Sequence, residues 1–181
     1  MHLAVIGTGK IGQTLGEALT AAGNDVRYGS RTPAESVREA LDGAEAVIVA
    51  IPGQAVADFA RDNAGGLAGK VVIDATNTFG DGPIHSAEVF ASLAPEAHYA
   101  RAFNTLGWEN FAEPVFAGVV ADLFYSSAEA DRATVERVIG DVGLHPVYLG
   151  PDQYDLLDHL MTLWFTLAKT QGRRHLAFKV L

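Results

Sequence analysis

A glycine-rich run at residues 7–12 constrains the fold more than any other feature of this chain. It follows an apolar segment at 3–6 that is typical of a buried strand, and it opens a helical pattern. In that context the spacing G-x-G-x-x-G has a physical reason at each glycine: Gly7 permits a tight turn, Gly9 lets a ligand approach the backbone, and Gly12 lets the helix pack closely on the strand. The N–H groups at the start of the helix then bind phosphate. The alternative is a glycine-rich turn without a ligand. The candidate residues of this loop are Gly7, Thr8, Gly9, Lys10, Ile11 and Gly12.

The rest of the chain alternates between strand-like and helix-like segments. Val- and Ile-rich runs lie at 25–28, 46–51, 70–74, 99–103, 119–125 and 145–149, and helical patterns separate them. This alternation predicts an α/β fold: a Rossmann-like, doubly wound, mostly parallel sheet with the strand order 3-2-1-4-5-6. With 181 residues the chain is expected to be one domain, 1–181, with a C-terminal helical extension over 151–181.

Glycines are also expected to end two helices. The helix that starts at residue 53 is predicted to stop before Gly65 and Gly66, and the long helical pattern from 152 to about 170 is predicted to stop at Gly172. A second short helix is expected after Gly172.

Charge and composition exclude several classes of function. A formal net charge of −9 argues against nucleic acid or an anionic membrane surface as partner. The chain has no cysteine, which excludes disulfides and thiolate chemistry. No apolar stretch is long enough to span a bilayer, and the chain starts on a strand-like run without a basic leader. We therefore expect a cytoplasmic protein whose partner is a small-molecule substrate.

The end of the second predicted strand distinguishes NAD from NADP. An NAD-binding chain carries Asp or Glu there, because a carboxylate binds the ribose 2′-hydroxyl. This chain has Ser30 and Arg31 instead. A guanidinium pairs with a 2′-phosphate through two hydrogen bonds, and a hydroxyl adds another. The sequence therefore predicts NADP(H) as the cofactor. The alternative is an exposed arginine that merely follows a strand.

Three further turns follow the third, fourth and fifth predicted strands. The carboxyl ends of parallel strands share one edge of a sheet, where the nicotinamide is expected. Small polar side chains there are expected to hydrogen-bond the carboxamide or a substrate carbonyl. Turn capping explains Asn77 equally well, whereas a binding role is preferred for Asn104. The candidate residues are Ile51, Pro52, Gly53, Asn77, Asn104, Thr105 and Leu106.

The C-terminal part of the chain gives weaker signals. His159 lies in an apolar helical stretch, and we expect it to be packed rather than to face the substrate. The scattered histidines predict no metal site. The basic residues at 173–179 are expected either to meet an anionic substrate or to form a solvated helix end. The apolar stretch 161–167 is typical of a buried helix, and we expect a homodimer formed partly by residues 152–171.

Several of these motifs together resemble the family of NADP oxidoreductases dependent on coenzyme F420, an 8-hydroxy-5-deazaflavin. The resemblance is carried by the loop at 7–12, Gly-Ser-Arg at 29–31, Asp-Ala-Thr-Asn at 74–77, Ala-Phe-Asn-Thr at 102–105 and Arg-His-Leu-Ala-Phe-Lys at 174–179. It implies an NADP-dependent oxidoreductase that passes a hydride between NADPH and the deazaflavin, stacked face to face.

The resemblance also implies roles for individual residues. Residues 8–11 would hold NADP together with Ser30 and Arg31; Gly53, Ala57 and the turn at 104–108 would lie along the cofactor, and Leu176 would touch the deazaflavin. No catalytic side chain is expected, because the cofactors carry the chemistry. Two alternatives stay open: an NADPH-dependent reductase of a flavin, ferric iron, a quinone or a small carbonyl, and an NADP(H)-binding protein without turnover.

Overall fold

A five-stranded parallel sheet forms the centre of the computed structural model, which describes residues 1–33 and 35–181. Its strands are joined by helical crossovers and lie in the order β2-β1-β3-β4-β5. The α/β, Rossmann-like fold predicted from the sequence is therefore confirmed. The strands of the sheet are β1 (His2–Ile6), β2 (Asp25–Gly29), β3 (Ala46–Val49), β4 (Val71–Asp74) and β5 (His98–Arg101).

Helices cover both faces of this sheet, so its central strands are buried on both sides. One apolar cluster joins residues of α1, α6 and α7 to one face, and a second joins residues of α2, α3 and α4 to the other. The helices are α1 (Lys10–Ala21), α2 (Glu35–Leu41), α3 (Val56–Leu67), α4 (Ala87–Leu93), α5 (Trp108–Ala112), α6 (Arg132–Asp141) and α7 (Tyr154–Thr170). The predicted helical extension is thus present as α7, which packs against the domain through Leu157, Met161 and Trp164.

The predicted strand order 3-2-1-4-5-6 is wrong at the third strand. β3 pairs with β1, on the side away from β2, instead of lying outside β2. The side chains explain this arrangement. All four residues of β3 are buried apolar residues, which suits a central strand, whereas Arg27 and Tyr28 of β2 are exposed, which suits the edge.

The predicted strand at 119–125 is also wrong, because it divides into two strands with different partners. β7 (Val119–Val120) forms an antiparallel hairpin with β6 (Val115–Phe116). β8 (Asp122–Tyr125) runs parallel to β9 (His145–Tyr148). The division falls at Ala121, whose N–H donates to the carbonyl of Pro114 at 2.9 Å. An antiparallel bridge between Arg101 and Ser126 then joins the end of β8 to β5.

Of the two helix ends predicted at glycines, the end of α7 is confirmed, since α7 stops at Thr170 and Gly172 has a φ of +65°, whereas the predicted end of α3 is wrong. α3 continues through Gly65 and Gly66 to Leu67, which is fully buried and whose burial offsets the low helix propensity of glycine. After Gly172 the described residues contain no further helix. The segment instead runs back across the domain, where Phe178 bridges to Asp122 of β8. Among the described helices, none has the length and apolar character needed to cross a membrane.

Candidate active site at the carboxyl edge of the sheet

The glycine loop after β1 is shaped by close backbone contacts. Gly7 has a φ of +117°, and its N–H donates to the carbonyl of Gly29 at 2.9 Å, which ties the loop to the end of β2. A Cβ at Gly7 would overlap the carbonyl oxygen of Ala50, and a Cβ at Gly12 would overlap that of Gly7. The turn and the helix–strand approach therefore need glycine at these two positions, as the sequence predicts.

Gly9 differs from Gly7 and Gly12, because a Cβ added at Gly9 would meet no atom of the described residues within 4 Å. Gly9 is the N-cap of α1, with φ −75° and ψ 179°, and no side chain caps this helix end. The first turn of α1 contains no acidic residue. The first N–H groups of the helix therefore face open space with a positive dipole end, which is the arrangement that binds phosphate.

At the end of β2, Arg31 is exposed and Ser30 is half-buried. The Ser30 hydroxyl donates to the carbonyl of Thr32 at 2.8 Å, and its backbone N–H donates to Ser36 Oγ at 2.9 Å. The turn is thus held by its own hydrogen bonds, and it directly follows Gly29, whose carbonyl binds the glycine loop. These positions suit a 2′-phosphate at this end of the edge.

A contact that the sequence analysis missed joins the glycine loop to the turn after β5. The Lys10 ammonium lies 4.6 Å from the centre of the Trp108 ring, at the start of α5. Such a cation–π pair contributes about 0.5–1 kcal/mol at an exposed site. The two residues are 98 positions apart in the sequence, so no local pattern predicts the contact.

The turn after β3 approaches the turn after β4. A Cβ at Gly53 would overlap Thr78, so the two backbones are in close contact. Ile51 is half-buried and Pro52 is exposed at the same edge, and Ala57 is half-buried at the start of α3. The structure therefore brings this predicted group next to Gly7, because a Cβ added at Gly7 would lie 3.3 Å from the Ile51 side chain.

The side-chain amide of Asn77 contacts the backbone of Asn104 between the ends of β4 and β5. Asn77 Nδ2 donates to the carbonyl of Asn104 at 3.2 Å. Asn104 itself is 2% exposed, and its Oδ1 has no hydrogen-bond partner within the described part of the chain. An unpaired buried acceptor costs about 1–3 kcal/mol. Thr105 and Leu106 are also buried, so they shape this turn from behind rather than present side chains at its surface.

The residue before this turn holds a strained backbone. Phe103 has a φ of +61°, a left-handed conformation that L side chains rarely adopt. Its ring is buried and packs edge-on against Phe111 of α5, with ring centres 5.6 Å apart. Packing of this side chain therefore holds the turn that carries Asn104.

A buried ionic network lies directly beneath the two asparagines, and the sequence analysis missed it. Arg101, at the end of β5, is fully buried. Its Nη1 contacts Asp74 Oδ2 at 3.2 Å and donates to the Thr76 carbonyl; its Nη2 donates to Asn77 Oδ1 at 3.0 Å and Asp158 Oδ1 at 2.9 Å. A charged residue at the end of a strand covered on both faces is the signal that would have indicated it.

Asp74 is the second fully buried charge of this network. The hydroxyl of Tyr99 donates to Asp74 Oδ2 at 2.7 Å. Burial, and then the negative charge of Asp74, raise the pKa of Tyr99 well above its ordinary value of 10.0. The phenol therefore stays protonated at neutral pH and donates to Asp74.

The C-terminal segment is fixed to the domain by its basic residues. Arg174 Nε donates to Glu109 at 2.7 Å, His175 stacks on Phe116 and Lys179 Nζ donates to Asp122 at 2.7 Å. Three members of the basic cluster at 173–179 therefore contact groups of the protein itself, and a role in binding an anionic substrate stays a prediction. Leu176 is half-buried, and its carbonyl accepts a hydrogen bond from Trp164 at 2.8 Å. It packs on the same apolar cluster as Ile11 of the glycine loop.

His159 and His85 lie in different surroundings in the structure. His159 is exposed on α7, so the packed histidine expected from the sequence is wrong. His85, Asp155 and Asp158 lie within 4.8 Å of one another, although they are distant in the sequence. Asp158 already accepts hydrogen bonds from Arg101 and from the N–H groups of Ile84 and His85, so its lone pairs are engaged within the protein.

Comparison with known proteins agrees with this geometry. Residues 2–78 match the sequence model of the family described as NADP oxidoreductase, coenzyme F420-dependent. A protein from Arthrobacter sp. FB24, whose own assignment as an F420-dependent NADP-reductase is provisional, is 24% identical; the match covers 100% of this chain and 99% of that protein, with a TM-score of 0.86. A hypothetical protein from Sinorhizobium meliloti is 28% identical, with a TM-score of 0.70 over 83% of this chain and 85% of its own.

Larger enzymes share the fold as well. The 3-hydroxyisobutyrate dehydrogenase of Mycobacterium tuberculosis is 17% identical, with a TM-score of 0.71 over 94% of this chain. This chain covers 65% of that enzyme. The family match contains the glycine loop, Ser30, Arg31 and Asn77, and it confirms the predicted class, an NADP-dependent oxidoreductase. The resemblance found in the sequence is therefore confirmed: over residues 2–78 this chain matches the NADP oxidoreductases dependent on coenzyme F420.

Proposed function

We propose that this protein binds NADPH along the carboxyl edge of its sheet and transfers a hydride between NADPH and a flat acceptor, coenzyme F420. The observation that carries the proposal is the order of groups along this edge. A cation at the end of β2 is followed by the open helix N-terminus after β1 and then by the two amides after β4 and β5. β2 and β4 are three strand positions apart, or about 14 Å. An extended dinucleotide spans that distance from its 2′-phosphate to its nicotinamide.

The residues at the edge fit this cofactor. Arg31 pairs with the 2′-phosphate, and the start of α1 binds the diphosphate across the open space at Gly9. A carboxamide offers one acceptor and two donors. Asn77 retains a second N–H beyond its bond to Asn104, and the Oδ1 of Asn104 lacks a partner within the described residues. The half-buried Asn77 amide therefore suits the carboxamide, whereas Asn104 contacts it once its buried Oδ1 becomes accessible on cofactor binding.

The bound nicotinamide supplies the hydride, so the protein has to position two rings and exclude water between them. Leu176 and Ile11 both pack on the apolar cluster that α1, α6 and α7 form on one face of the sheet, and we propose that they contact the second flat ring. Reduction of oxidised deazaflavin by NADPH consumes one hydride and one proton, which is taken from solvent. The family match supports F420 as this acceptor.

The test follows loss of the deazaflavin absorbance when protein, NADPH and oxidised F420 are mixed. The proposal predicts loss much faster than without protein, and slower loss with NADH. A matched variant, Asn77→Ala, is expected to reduce the rate by about tenfold, as for one hydrogen bond to a ligand. Saturable NADPH binding without faster F420 reduction would refute F420 as acceptor. Parallel reactions with FMN and a ferric chelate then identify a reductase of another acceptor, and inactivity with all three leaves a binding protein.

We also propose that the protein is a homodimer through α7. Leu156 and Leu163 are about half exposed, and with the half-buried Leu160 and Leu167 they form one stripe along the helix. Spacings of four and three residues are those of helices that pair side by side. We propose that a second copy of this chain covers this stripe with its own α7.

The oligomeric state is measured by light scattering with the wild type and with Leu163→Asp at micromolar concentration. The proposal predicts a dimer that the substitution converts to a monomer. Phe165→Asp is the matched control, because Phe165 is equally exposed but lies across the helix from the stripe. A wild-type monomer, or dissociation by the control alone, contradicts the proposal.

A further inference from the structure

We infer that Asp158 of α7 is a positioning residue for the nicotinamide end of the site and acts through Arg101. This inference rests on the proposed function and extends it, because α7 lies outside the segment that matches the family. Asp158 is 7% exposed, and its oxygens bind Arg101 and the Ile84 and His85 amides rather than either asparagine. Its effect on a ligand must therefore be transmitted through the protein.

Asp158 binds two different elements with its two oxygens. Oδ1 accepts from Arg101 Nη2 at 2.9 Å, and Oδ2 accepts from the N–H groups of Ile84 and His85 at 3.0 and 2.9 Å. The second pair fixes the returning end of the loop that starts at Asn77. One carboxylate thus holds the guanidinium and this loop in a fixed relation.

Arg101 links the Asp158 carboxylate to the Asn77 amide and so orients that amide. The same Nη2 that binds Asp158 donates to Asn77 Oδ1 at 3.0 Å, and this contact determines which way the amide is turned. Asn77 Nδ2 consequently faces the carbonyl of Asn104. Within this network Arg101, Asp74 and Asp158 are buried, whereas Asn77 is half-buried and reaches the surface of the edge. Asn77 is therefore the member through which the network acts on a ligand.

The position of the Arg101 guanidinium depends on the two carboxylates beside it. One guanidinium lies between two buried carboxylates, Asp74 and Asp158, at 3.2 and 2.9 Å. A buried charge that loses one partner moves toward the remaining one, since an unpaired charge is costly. Without the charge of Asp158, Arg101 shifts toward Asp74 and away from Asn77. The amide is then free to rotate, and the carboxamide loses a fixed donor.

The experiment compares NADPH with 2′-phospho-ADP-ribose, a fragment that lacks the nicotinamide. Both bind Arg31 and the start of α1, and only NADPH reaches the asparagines. Asp158→Asn keeps the shape of the side chain but places an N–H₂ group where two backbone N–H groups need an acceptor. We expect NADPH affinity to fall about tenfold, while the fragment affinity changes less than twofold. Asp155→Asn is the matched control on the same helix, because Asp155 is exposed, and it is expected to change neither affinity.

The possible outcomes distinguish failure of the positioning role of Asp158 from failure of the proposed function. Equal losses for NADPH and the fragment, or no loss for either, would overturn the positioning role while leaving the proposed function intact. A wild type that binds the fragment and NADPH equally well would overturn it too, because the nicotinamide end is then not held. A wild type that binds neither refutes the proposed function itself.

A second measurement uses the wild type alone, so that it does not depend on folding of the variant. Coupling between two sites is reciprocal. If Asp158 acts on the nicotinamide end, NADPH must also stabilise the hydrogen bonds of Asp158 to the Ile84 and His85 amides. Hydrogen exchange of these amides is expected to slow severalfold with NADPH and not with the fragment. Equal exchange with both ligands would overturn the inference.

Discussion

The substitution Gly9→Ala isolates the diphosphate site from the fold. A Cβ at Gly9 would meet no atom within 4 Å in the described part of the chain, and its φ of −75° is accessible to alanine. The variant is therefore expected to fold. Alanine is a poorer N-cap than glycine, so a loss of about 1 kcal/mol in the free energy of unfolding is expected, or a Tm lower by about 2–4 °C.

Ligand binding is expected to change far more. The open space at Gly9 is where the diphosphate approaches the start of α1, and a methyl group placed there overlaps the ligand. Forcing an extra methyl group into a close contact costs about 1–3 kcal/mol. Because each 1.4 kcal/mol is a factor of ten, the Kd for NADPH is expected to rise about 5–150-fold.

Calorimetric titration with NADPH, together with a thermal melt of each protein, measures both quantities. Gly12→Ala is the contrasting variant, because its Cβ would overlap the carbonyl oxygen of Gly7, and it should lose the fold as well as the ligand. The reasoning is refuted if Gly9→Ala binds NADPH as tightly as the wild type. It is also refuted if Gly9→Ala is destabilised as strongly as Gly12→Ala.

Three further predictions follow from named contacts. Arg31→Ala should weaken NADPH binding by about tenfold or more and leave NADH binding unchanged, with Arg27→Ala as control; equal losses for both nucleotides would mean that Arg31 does not bind the 2′-phosphate. Burial raises the pKa of Asp122, but hydrogen bonds from Lys179, the Val180 N–H and His145 lower it overall below its ordinary 3.8. Its contribution to stability is therefore present above pH 3.8 and lost as the pH falls through the lowered pKa. Asp122→Asn should melt lower than wild type by about 3–12 °C at pH 7, with the difference fading as the pH falls below 3.8, and a difference that does not depend on pH contradicts the assignment. Finally, Trp108→Phe should remove most of the quenching of protein fluorescence by NADPH, because Trp108 lies over Lys10 of the glycine loop whereas Trp164 is buried; undiminished quenching would place the ligand elsewhere.

The layers of the fold were predictable because the signals are local. A strand such as β3 is a continuous apolar run, and the helix after Gly12 shows its own periodicity. The strand order was predicted wrongly, because it depends on the side of β1 on which β3 pairs, and no pattern within β3 shows that side. The exposed side chains of β2 carried that information, since a strand with Arg27 and Tyr28 belongs at an edge.

The candidate site likewise contains residues that local patterns predict and contacts that they do not. The glycine loop, Arg31 and the asparagines all follow strands, so a rule about parallel sheets brings them to one edge. The contacts of Arg101 join residues 24, 27 and 57 positions away, and no short-range pattern records them. Asn104 was predicted as a polar binding residue, and the depth of its turn was not, because it depends on packing such as that of Phe103 on Phe111.

The central claim is that this edge of the sheet holds NADP(H), with Arg31 selecting the 2′-phosphate and the start of α1 binding the diphosphate. Titration of the purified protein with NADPH and with NADH tests it most directly. The account predicts saturable binding of one NADPH per chain, with a Kd at least about tenfold lower than that for NADH, since a charge-assisted hydrogen bond contributes about 1.5–3 kcal/mol. Equal affinities, or no saturable binding of NADPH, would contradict it.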